Sequence, residues 1–302
     1  MKELACVVVT YRPDLDILAR LLLALPAEAG VILVDNASGH GIPDELTRLL
    51  AARRRSHLIR NDHNAGLATA INQGVRAARD RWPDTRYALL LDQDTEPETG
   101  AIAVLMGGVA QLQRAEPPPG AVGPSLVDAA TGMSHGFHRS TRWRWTRVYP
   151  DRGGPVSCAS LNGSGTVVPI RLFIELGGLE EGLFIDHVDT EWGFRVRAAG
   201  YGLYGIPAAR FVHRMGRDSR RIWLFGWRIW PMRTPARHYY LFRNAVVLLR
   251  RSYVPRVWKS WAIIKLLLTA GVHAAIGPRR GAHLGRMLAG VRDGLRGDPP
   301  RR

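Results

Sequence analysis

Four short apolar runs recur through the first hundred residues and alternate with segments whose apolar residues follow a helical spacing. The runs are Leu4–Val9, Val31–Val34, Leu58–Ile59 and Ala88–Leu91. Unbroken apolar runs are typical of strands that are buried on both faces, as in parallel sheets. The intervening helical patterns cover Leu15–Leu25 and Leu67–Ala78, the second after Asn64 as a candidate N-cap. This alternation predicts a doubly wound α/β fold.

Polar residues follow each predicted strand at its carboxyl end. They are Thr10 and Tyr11, Asp35 and Asn36, Asn61 and Asp62, and Asp92 with Asp94. In doubly wound sheets, ligands bind beyond the carboxyl ends of the strands. We therefore expect these side chains to converge on one crevice.

The second half of the chain has a different pattern. A stiff connector, Pro117–Gly120, is followed by a loop or edge hairpin over 134–155. The segment Phe184–Gly200 begins acidic and becomes helical. Three more helices are predicted, over Ile222–Trp230, His238–Arg251 and Trp258–Ile276. We expect a body over 1–214, with halves of about 1–115 and 120–214, and a Trp-rich helical extension over 215–302.

The excess of positive over negative charge lies entirely in that extension. The net charge is +16, residues 1–214 sum to zero, and 215–302 carry the whole excess. Such a surface attracts a polyanion, either anionic lipid or nucleic acid. The 46% hydrophobic and 23% charged content excludes a disordered or collagen-like chain. Two cysteines exclude a disulfide scaffold, and the apolar run behind Glu3 is too short for a secretory signal, so we expect an intracellular protein.

The segment Trp258–Ile276 allows two interpretations. Lys259 and Lys265 interrupt it, and the uncharged stretch that follows is shorter than the roughly 20 residues of a membrane span. It predicts either an amphipathic helix in a membrane interface or a helix packed on the protein itself. The interfacial face would contain Trp258, Trp261, Ile264 and Leu268.

Two acidic clusters and one histidine are candidates for chemistry. Asp92 and Asp94 leave a strand two residues apart and could both face Mg²⁺ or Mn²⁺, although a solvated turn has the same pattern. Three carboxylates lie within 186–191. One of them could be a general base, or all three could be the acidic residues that the helix dipole favours at an N-terminus. His213 could complete a coordination shell begun by the aspartates.

The ordered set of motifs resembles the inverting GT-A glycosyltransferases of family 2. The set is Val8–Tyr11, Val34–Ser38, Asn61–Gly74 and Leu91–Asp94. The later stretch Gly177–Arg195 resembles the bacterial rhamnosyltransferases and their galactofuranosyl relatives, and the likeness extends from residue 5 to about 244. The resemblance implies a GT-A fold, with a Rossmann-like and mostly parallel sheet, in front of the basic helical extension.

The resemblance also implies residue roles. The donor nucleotide would contact Thr10, Tyr11, Asp35, Asn36, Asn64, Gly66 and Asp92. Asp92, Asp94 and His213 would hold Mg²⁺ or Mn²⁺ on the donor diphosphate, and Asp189 would be the catalytic base. Glu191, Trp192 and Arg195 would contact the acceptor or support those residues that do.

One residue and one segment depart from the family pattern. Arg12 stands where many relatives have Asn, and Leu161–Gly165 is not the usual Ser-Gly pair of the acceptor loop. The pair Arg243-Asn244 resembles a downstream element of the relatives. The donor side is therefore matched more fully than the acceptor side.

The function that the resemblance implies is transfer of L-rhamnose from dTDP-rhamnose onto a cell-surface glycan or lipid-linked acceptor. A single displacement would invert the anomeric centre, on the cytoplasmic face of a membrane to which the extension binds. Galactofuranose or another UDP-sugar is the alternative donor. A haloacid dehalogenase-type phosphatase is disfavoured by Glu96, since its motif has Thr or Val there. A nucleic-acid binder remains a distant third, since Trp and Arg are interleaved in the extension.

Overall fold

The computed structural model describes residues 1–129, 131–150, 153–214, 219–223, 227–231 and 233–297. The described strands are β1 (Leu4–Thr10), β2 (Gly30–Asp35), β3 (Ser56–Arg60), β4 (Tyr87–Asp92), β5 (Thr95–Pro97), β6 (Pro119–Asp128), β7 (Phe137–Ser140), β8 (Trp145–Val148), β9 (Val156–Cys158), β10 (Val167–Pro169), β11 (Gly202–His213), β12 (Ser219–Trp223) and β13 (Trp227–Pro231). The described helices are α1 (Leu15–Ala24), α2 (Ile42–Leu50), α3 (Leu67–Arg81), α4 (Ala101–Gln111), α5 (Ile170–Glu175), α6 (Val188–Ala198), α7 (Pro235–Leu249), α8 (Arg256–Ile276) and α9 (Arg280–Arg296).

A nine-stranded mixed sheet forms the centre of the protein. Its order is β3-β2-β1-β4-β10-β6-β11-β5, with β9 paired to β11. The first four strands are mutually parallel, and β10 enters antiparallel between β4 and β6. The predicted GT-A architecture is confirmed, with a helical C-terminal region behind a mostly parallel sheet.

The apolar runs are continuous because both faces of the sheet are covered. In β1, Ala5, Val7 and Val9 contribute to one buried cluster, while Cys6 and Val8 contribute to the other. Successive strand residues point to opposite faces, so a strand covered on both sides needs apolar residues at every position. The first cluster lies under α3 and α6 and the second under α1, α2 and α4.

Two local predictions are wrong. The segment Ile222–Trp230 is not a helix, because β12 and β13 pair as an antiparallel hairpin around residues 224–226, which lie outside the described residues. Its Trp and Ile content favours strands, which explains the difference. The N-cap of α3 is Gly66 rather than Asn64, and α3 has no side-chain cap. Helix α9 was not predicted at all.

The C-terminal helices share the core of the body. Leu248, Val254, Trp258 and Ala262 belong to the same buried cluster as Val7. Trp258 packs edge-on against Phe194 and His187, so it does not lie on the exposed face as the interfacial pattern predicted. The helix is therefore packed on the protein along one side.

The opposite side of α8 is open to solvent. Ile263, Ile264, Leu267 and Leu268 are each more than 40% exposed. These positions follow a helical spacing and form one apolar stripe, which we call the α8 stripe. Among the described residues, α8 is the helix whose length and composition would allow it to cross a membrane.

Candidate active site

The carboxyl ends of β1, β2 and β4 meet at one edge of the sheet. Thr10 is paired with Asp35 in the β1–β2 register, and Val9 is paired with Asp92 in the β1–β4 register. Asn61 continues the edge, since its backbone N–H donates to the carbonyl of Asp35 at 2.9 Å. The structure therefore brings together Thr10, Asp35, Asn61 and Asp92 of the residues predicted to converge.

Asp35 is locked in place at this edge. Its Oδ1 accepts hydrogen bonds from Thr10 Oγ1 at 3.2 Å and from Ser38 Oγ, and its Oδ2 accepts from the Ser38 backbone N–H at 3.3 Å. Asp35 is 2% exposed, whereas the neighbouring Tyr11 is 41% exposed. An aromatic ring thus borders the crevice beside a carboxylate with fixed orientation.

An amide network extends the same wall. Asn36 donates from Nδ2 to Asn64 Oδ1 at 2.9 Å, and its own Oδ1 accepts from Asn61 Nδ2 at 3.1 Å and from Ala65 N at 2.9 Å. Asn64 Oδ1 also accepts from Gly66 N at 3.0 Å. Asn64 therefore orients the loop before α3, although it does not cap the helix.

Gly66 joins this wall to a distant part of the chain. Its φ is +92°, and a Cβ there would lie 2.5 Å from Cδ2 of Phe184. Directly after it, Leu67 N donates to the carbonyl of Phe184 at 2.7 Å. Only glycine combines that φ with so close an approach, so it lets the segment before α6 close over the start of α3.

A second group of side chains could hold a metal ion. One ligand atom each of Asp92, Asp94 and His213 lies within 4.8 Å of the others. His213 reaches Asp94 because β11 pairs with β5, which aligns His213 with Thr95. Thr95 Oγ1 lies 2.7 Å from His213 Nδ1 and holds the ring at that position.

The electrostatics of this group favour a cation. Burial raises the pKa of Asp92, the His213 imidazole lowers it, and the neighbouring carboxylates of Asp94 and Asp189 raise it further. A divalent cation between the carboxylates would remove that repulsion. The donor set of two carboxylates and one imidazole therefore fits a divalent metal ion.

Asp189 lies on the same side of the molecule as Asp92, because the neighbouring residues Gly163 and Ser164 hydrogen-bond to the two aspartates. It sits in the first turn of α6, where its Oδ2 accepts from the Gly163 backbone N–H at 3.0 Å and its Oδ1 from Thr190 N at 2.7 Å. Burial raises the pKa of its carboxyl group, although these hydrogen bonds oppose the shift. The residue as a whole has intermediate exposure.

A short loop missed by the sequence analysis connects the metal group to Asp189. In this loop, Gly163 binds Asp189, while Ser164 Oγ accepts from Asp92 N at 3.0 Å and lies 2.7 Å from Thr95 Oγ1. From the sequence, this segment is only a departure from the family pattern. Its adjacent Gly and Ser are the one local signal that could have identified it.

The segment before Asp189 is held by C-terminal residues. Asp186 forms a bidentate pair with Arg237, at 2.7 and 3.0 Å, and lies 3.5 Å from Arg233. Asn244 donates from Nδ2 to the carbonyls of Leu183 and Ile185 at 2.8 Å and of Asp186 at 2.9 Å. Phe184, Asp186 and His187 all have φ near +60°, so these contacts maintain a backbone that side chains rarely adopt.

The three residues predicted near the acceptor lie behind Asp189. Glu191 is fully buried between Arg195, with two contacts of 2.8 Å, and the Tyr253 hydroxyl at 2.7 Å. Arg195 also donates to Gly178 O at 2.7 Å, and Trp192 packs against Phe173. Of their two predicted roles, this geometry favours support of α6 over contact with an acceptor.

Residues 6–123 match the sequence family described as glycosyl transferase family 2. Over 296 residues the chain is 28% identical to the dTDP-rhamnosyl transferase RfbF of Shigella flexneri, covering 96% of this chain and 95% of that protein. It is 26% identical over 246 residues to an N-acetylglucosaminyl-diphospho-decaprenol L-rhamnosyltransferase of Mycobacterium tuberculosis, covering 72% and 78% of the two chains.

The fold is also found in solved structures. The mannosyltransferase PcManGT of Pyrobaculum calidifontis, in complex with GDP-Man and Mn²⁺, superposes with a TM-score of 0.57. The match covers 97% of this chain and 87% of the other, at 16% identity. At that identity the similarity establishes a shared fold.

Proposed function

We propose that this chain, a glycosyltransferase of family 2, transfers L-rhamnose from dTDP-rhamnose to a hydroxyl of a glycan or lipid-linked acceptor with inversion at the anomeric carbon. One observation carries the proposal. The adjacent residues Gly163 and Ser164 of one loop hydrogen-bond to the Asp189 carboxylate and to the Asp92 backbone N–H, each at 3.0 Å, which brings the two aspartates to the same place. A base and a diphosphate-binding group thus border one cleft.

Asp189 would act as the base. Its two oxygens are oriented by Gly163 N and Thr190 N, and burial raises its pKa toward the working pH. A general base is most effective when its pKa approaches that pH. As the acceptor oxygen attacks, the proton passes to Asp189, and because the displacement takes one step, no second base or covalent glycosyl-enzyme is needed.

Asp92, Asp94 and His213 would hold a divalent cation. The imidazole favours Mn²⁺ over Mg²⁺, because Mg²⁺ is a hard ion that takes mainly oxygen ligands. Bound there, the cation would offset the negative charge that develops on the departing nucleoside diphosphate. Ser164 and Thr95 keep the backbone of Asp92 and the ring of His213 in place for this task.

The nucleoside would occupy the wall of β1 and β2. Tyr11 offers an exposed ring for stacking on the base, and Asp35 is held by Thr10 and Ser38 in one orientation. Asn36, Asn64 and Gly66 would shape the rest of the pocket through their network. These are the donor contacts that the resemblance implies.

The test separates donor binding from transfer. Asp189→Asn should lower the rate of transfer by at least a thousandfold, while dTDP-rhamnose with Mn²⁺ binds within about threefold of wild type by calorimetry, because the donor contacts are intact. Asp80→Asn, an exposed aspartate on α3, is the matched control and should transfer at the wild-type rate.

Two results would overturn this assignment. Full transfer by Asp189→Asn would remove Asp189 from the mechanism. A product that retains the donor's anomeric configuration, observed by NMR, would exclude a single displacement. A panel of dTDP- and UDP-sugars decides the donor, and preference for UDP-galactofuranose would replace rhamnose in the proposal.

We also place the enzyme on the cytoplasmic face of an anionic membrane, bound through the α8 stripe. Cationic residues flank this helix, with Arg256 and Lys259 at its start and Arg279 and Arg280 just beyond its end. Apolar residues in the interface, together with Lys or Arg near an anionic leaflet, contribute additively to such binding, at about 1 kcal/mol per cation. A lipid-linked acceptor would be presented at that surface.

Vesicle co-sedimentation tests this placement. Leu267→Glu should lose most binding to phosphatidylglycerol-containing vesicles, because the charge enters the apolar stripe. Leu23→Glu is the matched control, since Leu23 is an 85% exposed leucine on α1 and not part of the α8 stripe. Equal binding of both variants would exclude the α8 stripe as the membrane contact.

A further inference from the structure

Three histidines meet where α7, α8 and α9 come together. His238 lies in the first turn of α7, His273 in the last turn of α8 and His283 in the first turn of α9. Their exposures are 1%, 0% and 3%, and their ring centroids lie 4.3 to 5.0 Å apart. The cluster shares no residue with the group of Asp92, Asp94 and His213.

The ring nitrogens have the spacing of metal ligands. One nitrogen from each histidine lies within 4.8 Å of the others, and Nδ1 of His238 is 2.8 Å from Nδ1 of His283. Two ligands of a tetrahedral zinc ion, each about 2.0 Å from it, lie about 3.3 Å apart. A separation of 2.8 Å needs to open by only about half an ångström, which side-chain rotation can supply.

His273 gives an independent indication of a metal site. Its Nδ1 lies 3.0 Å from the carbonyl of Thr269, which fixes the proton on that nitrogen, and its buried Nε2 has no hydrogen-bond partner. An unpaired buried polar atom is costly. Metal-bound histidines characteristically donate their second ring N–H to a backbone carbonyl, which is the arrangement seen here.

The surroundings keep the cluster in a form able to bind a metal. Burial, the other two histidines and Arg233 lower the pKa of His238 to about 3, whereas Asp186 opposes the shift. Burial, His273 and Arg279 lower the pKa of His283. Neutral imidazole is the form that coordinates metal.

We propose that His238, His273 and His283 bind one Zn²⁺ ion that ties α8 and α9 to the start of α7. Water would complete the tetrahedron. The apolar cluster at this junction has Leu241, Phe242 and Met287 as its buried residues within the described chain, and Leu266, Ala270, Leu284 and Val291 pack against them while partly buried. A metal would reinforce that junction.

The site would also stabilise the segment before the catalytic base. His238 directly follows Arg237, whose guanidinium pairs with Asp186. Fixing the first turn of α7 therefore fixes the arginine that holds Asp186. The metal acts here as a structural link, and the proposal does not depend on which sugar is transferred.

The test uses the full chain with Asp92→Asn and Asp94→Asn, so that the other candidate site is disabled. Titration of Zn²⁺ against a chromophoric chelator should give one equivalent bound. His273→Ala in this background should weaken binding at least tenfold. His40→Ala, at an exposed loop histidine, is the matched control and should bind as before.

X-ray absorption on the zinc-loaded parent protein guards against a variant that fails to fold. Three imidazole ligands should appear in its scattering, and zinc at a hundredfold excess over its Kd should raise Tm by roughly 5 °C. A zinc shell without imidazole, no bound equivalent in the parent, or equal affinity in His273→Ala would each overturn the proposal.

Discussion

Asn244 offers the sharpest test of how the active site is assembled. It is fully buried on α7, donates to the carbonyls of Leu183, Ile185 and Asp186, and accepts from Arg243 Nη1 at 2.9 Å. It therefore clamps the turn that leads to Asp189. Asn244→Ala removes the clamp and leaves a cavity, whereas Asn244→Leu removes the clamp and keeps most of the volume.

The expected cost follows from the hydrogen bonds. The amide has two N–H groups for three carbonyls, and Leu183 O keeps a second partner in Ile185 N at 2.7 Å. Removing the amide therefore leaves mainly two carbonyls without a hydrogen-bond partner. Each buried, unpaired carbonyl lowers the free energy of unfolding by about 1 to 3 kcal/mol. We expect about 3 kcal/mol for Asn244→Leu, or a fall in Tm of roughly 6 to 12 °C, and a larger loss for Asn244→Ala, which adds the cost of a cavity.

Activity should change selectively as well. Relaxation of the left-handed segment would displace Asp189, so kcat should fall by about tenfold or more. The donor KM should change less than kcat, because Asn244 reaches the donor wall only indirectly, through Phe184. Thermal unfolding by circular dichroism and steady-state kinetics measure the two effects. Gln111→Ala, which removes an exposed amide at the end of α4, should shift stability by less than about 0.5 kcal/mol.

The comparison between the two variants can refute the reasoning. If Asn244→Leu unfolds within 2 °C of wild type while Asn244→Ala does not, the cost is that of a cavity and the hydrogen-bond clamp contributes little. An unchanged kcat in two destabilised variants would show that the turn does not position Asp189.

Three further outcomes are expected. Burial raises the pKa of Asp189 above the usual 3.8, and a general base must be ionised to act. On acidification, kcat/KM for the donor should therefore fall at a higher pH than it would with an ordinary aspartate. A fall in kcat/KM that begins only below pH 4 would contradict this. Gly66→Ala should weaken donor binding at least tenfold by calorimetry, since its Cβ would meet Phe184, and unchanged binding would exclude that contact from shaping the pocket. Cys6 and Cys158, whose pKa burial raises to about 12, should resist iodoacetamide in the native protein, and mass spectrometry showing rapid alkylation would argue against their burial.

Much of the donor half could be predicted because its signals are local. An unbroken apolar strand such as Leu4–Val9 reports burial on both faces, and the residues directly after parallel strands must share one edge. The sequence therefore predicts that Thr10, Asp35 and Asp92 lie together, and the strand registers confirm it. The family resemblance extended the same reasoning to Asp189 and His213.

The supporting contacts depended on tertiary structure, because they join residues that no periodicity relates. Ser164 reaches Asp92 across 72 residues, and Thr95 reaches His213 across 118, only because β10 enters the sheet beside β4 and β11 pairs with β5. The sequence marks Asn244 only by its resemblance to an element of the relatives and gives it no role. Its role depends on the packing of α7 against the turn at Asp186. Hydrophobic patterning determines which faces are buried, whereas strand order and helix docking decide which polar groups meet, and those depend on packing over the whole chain.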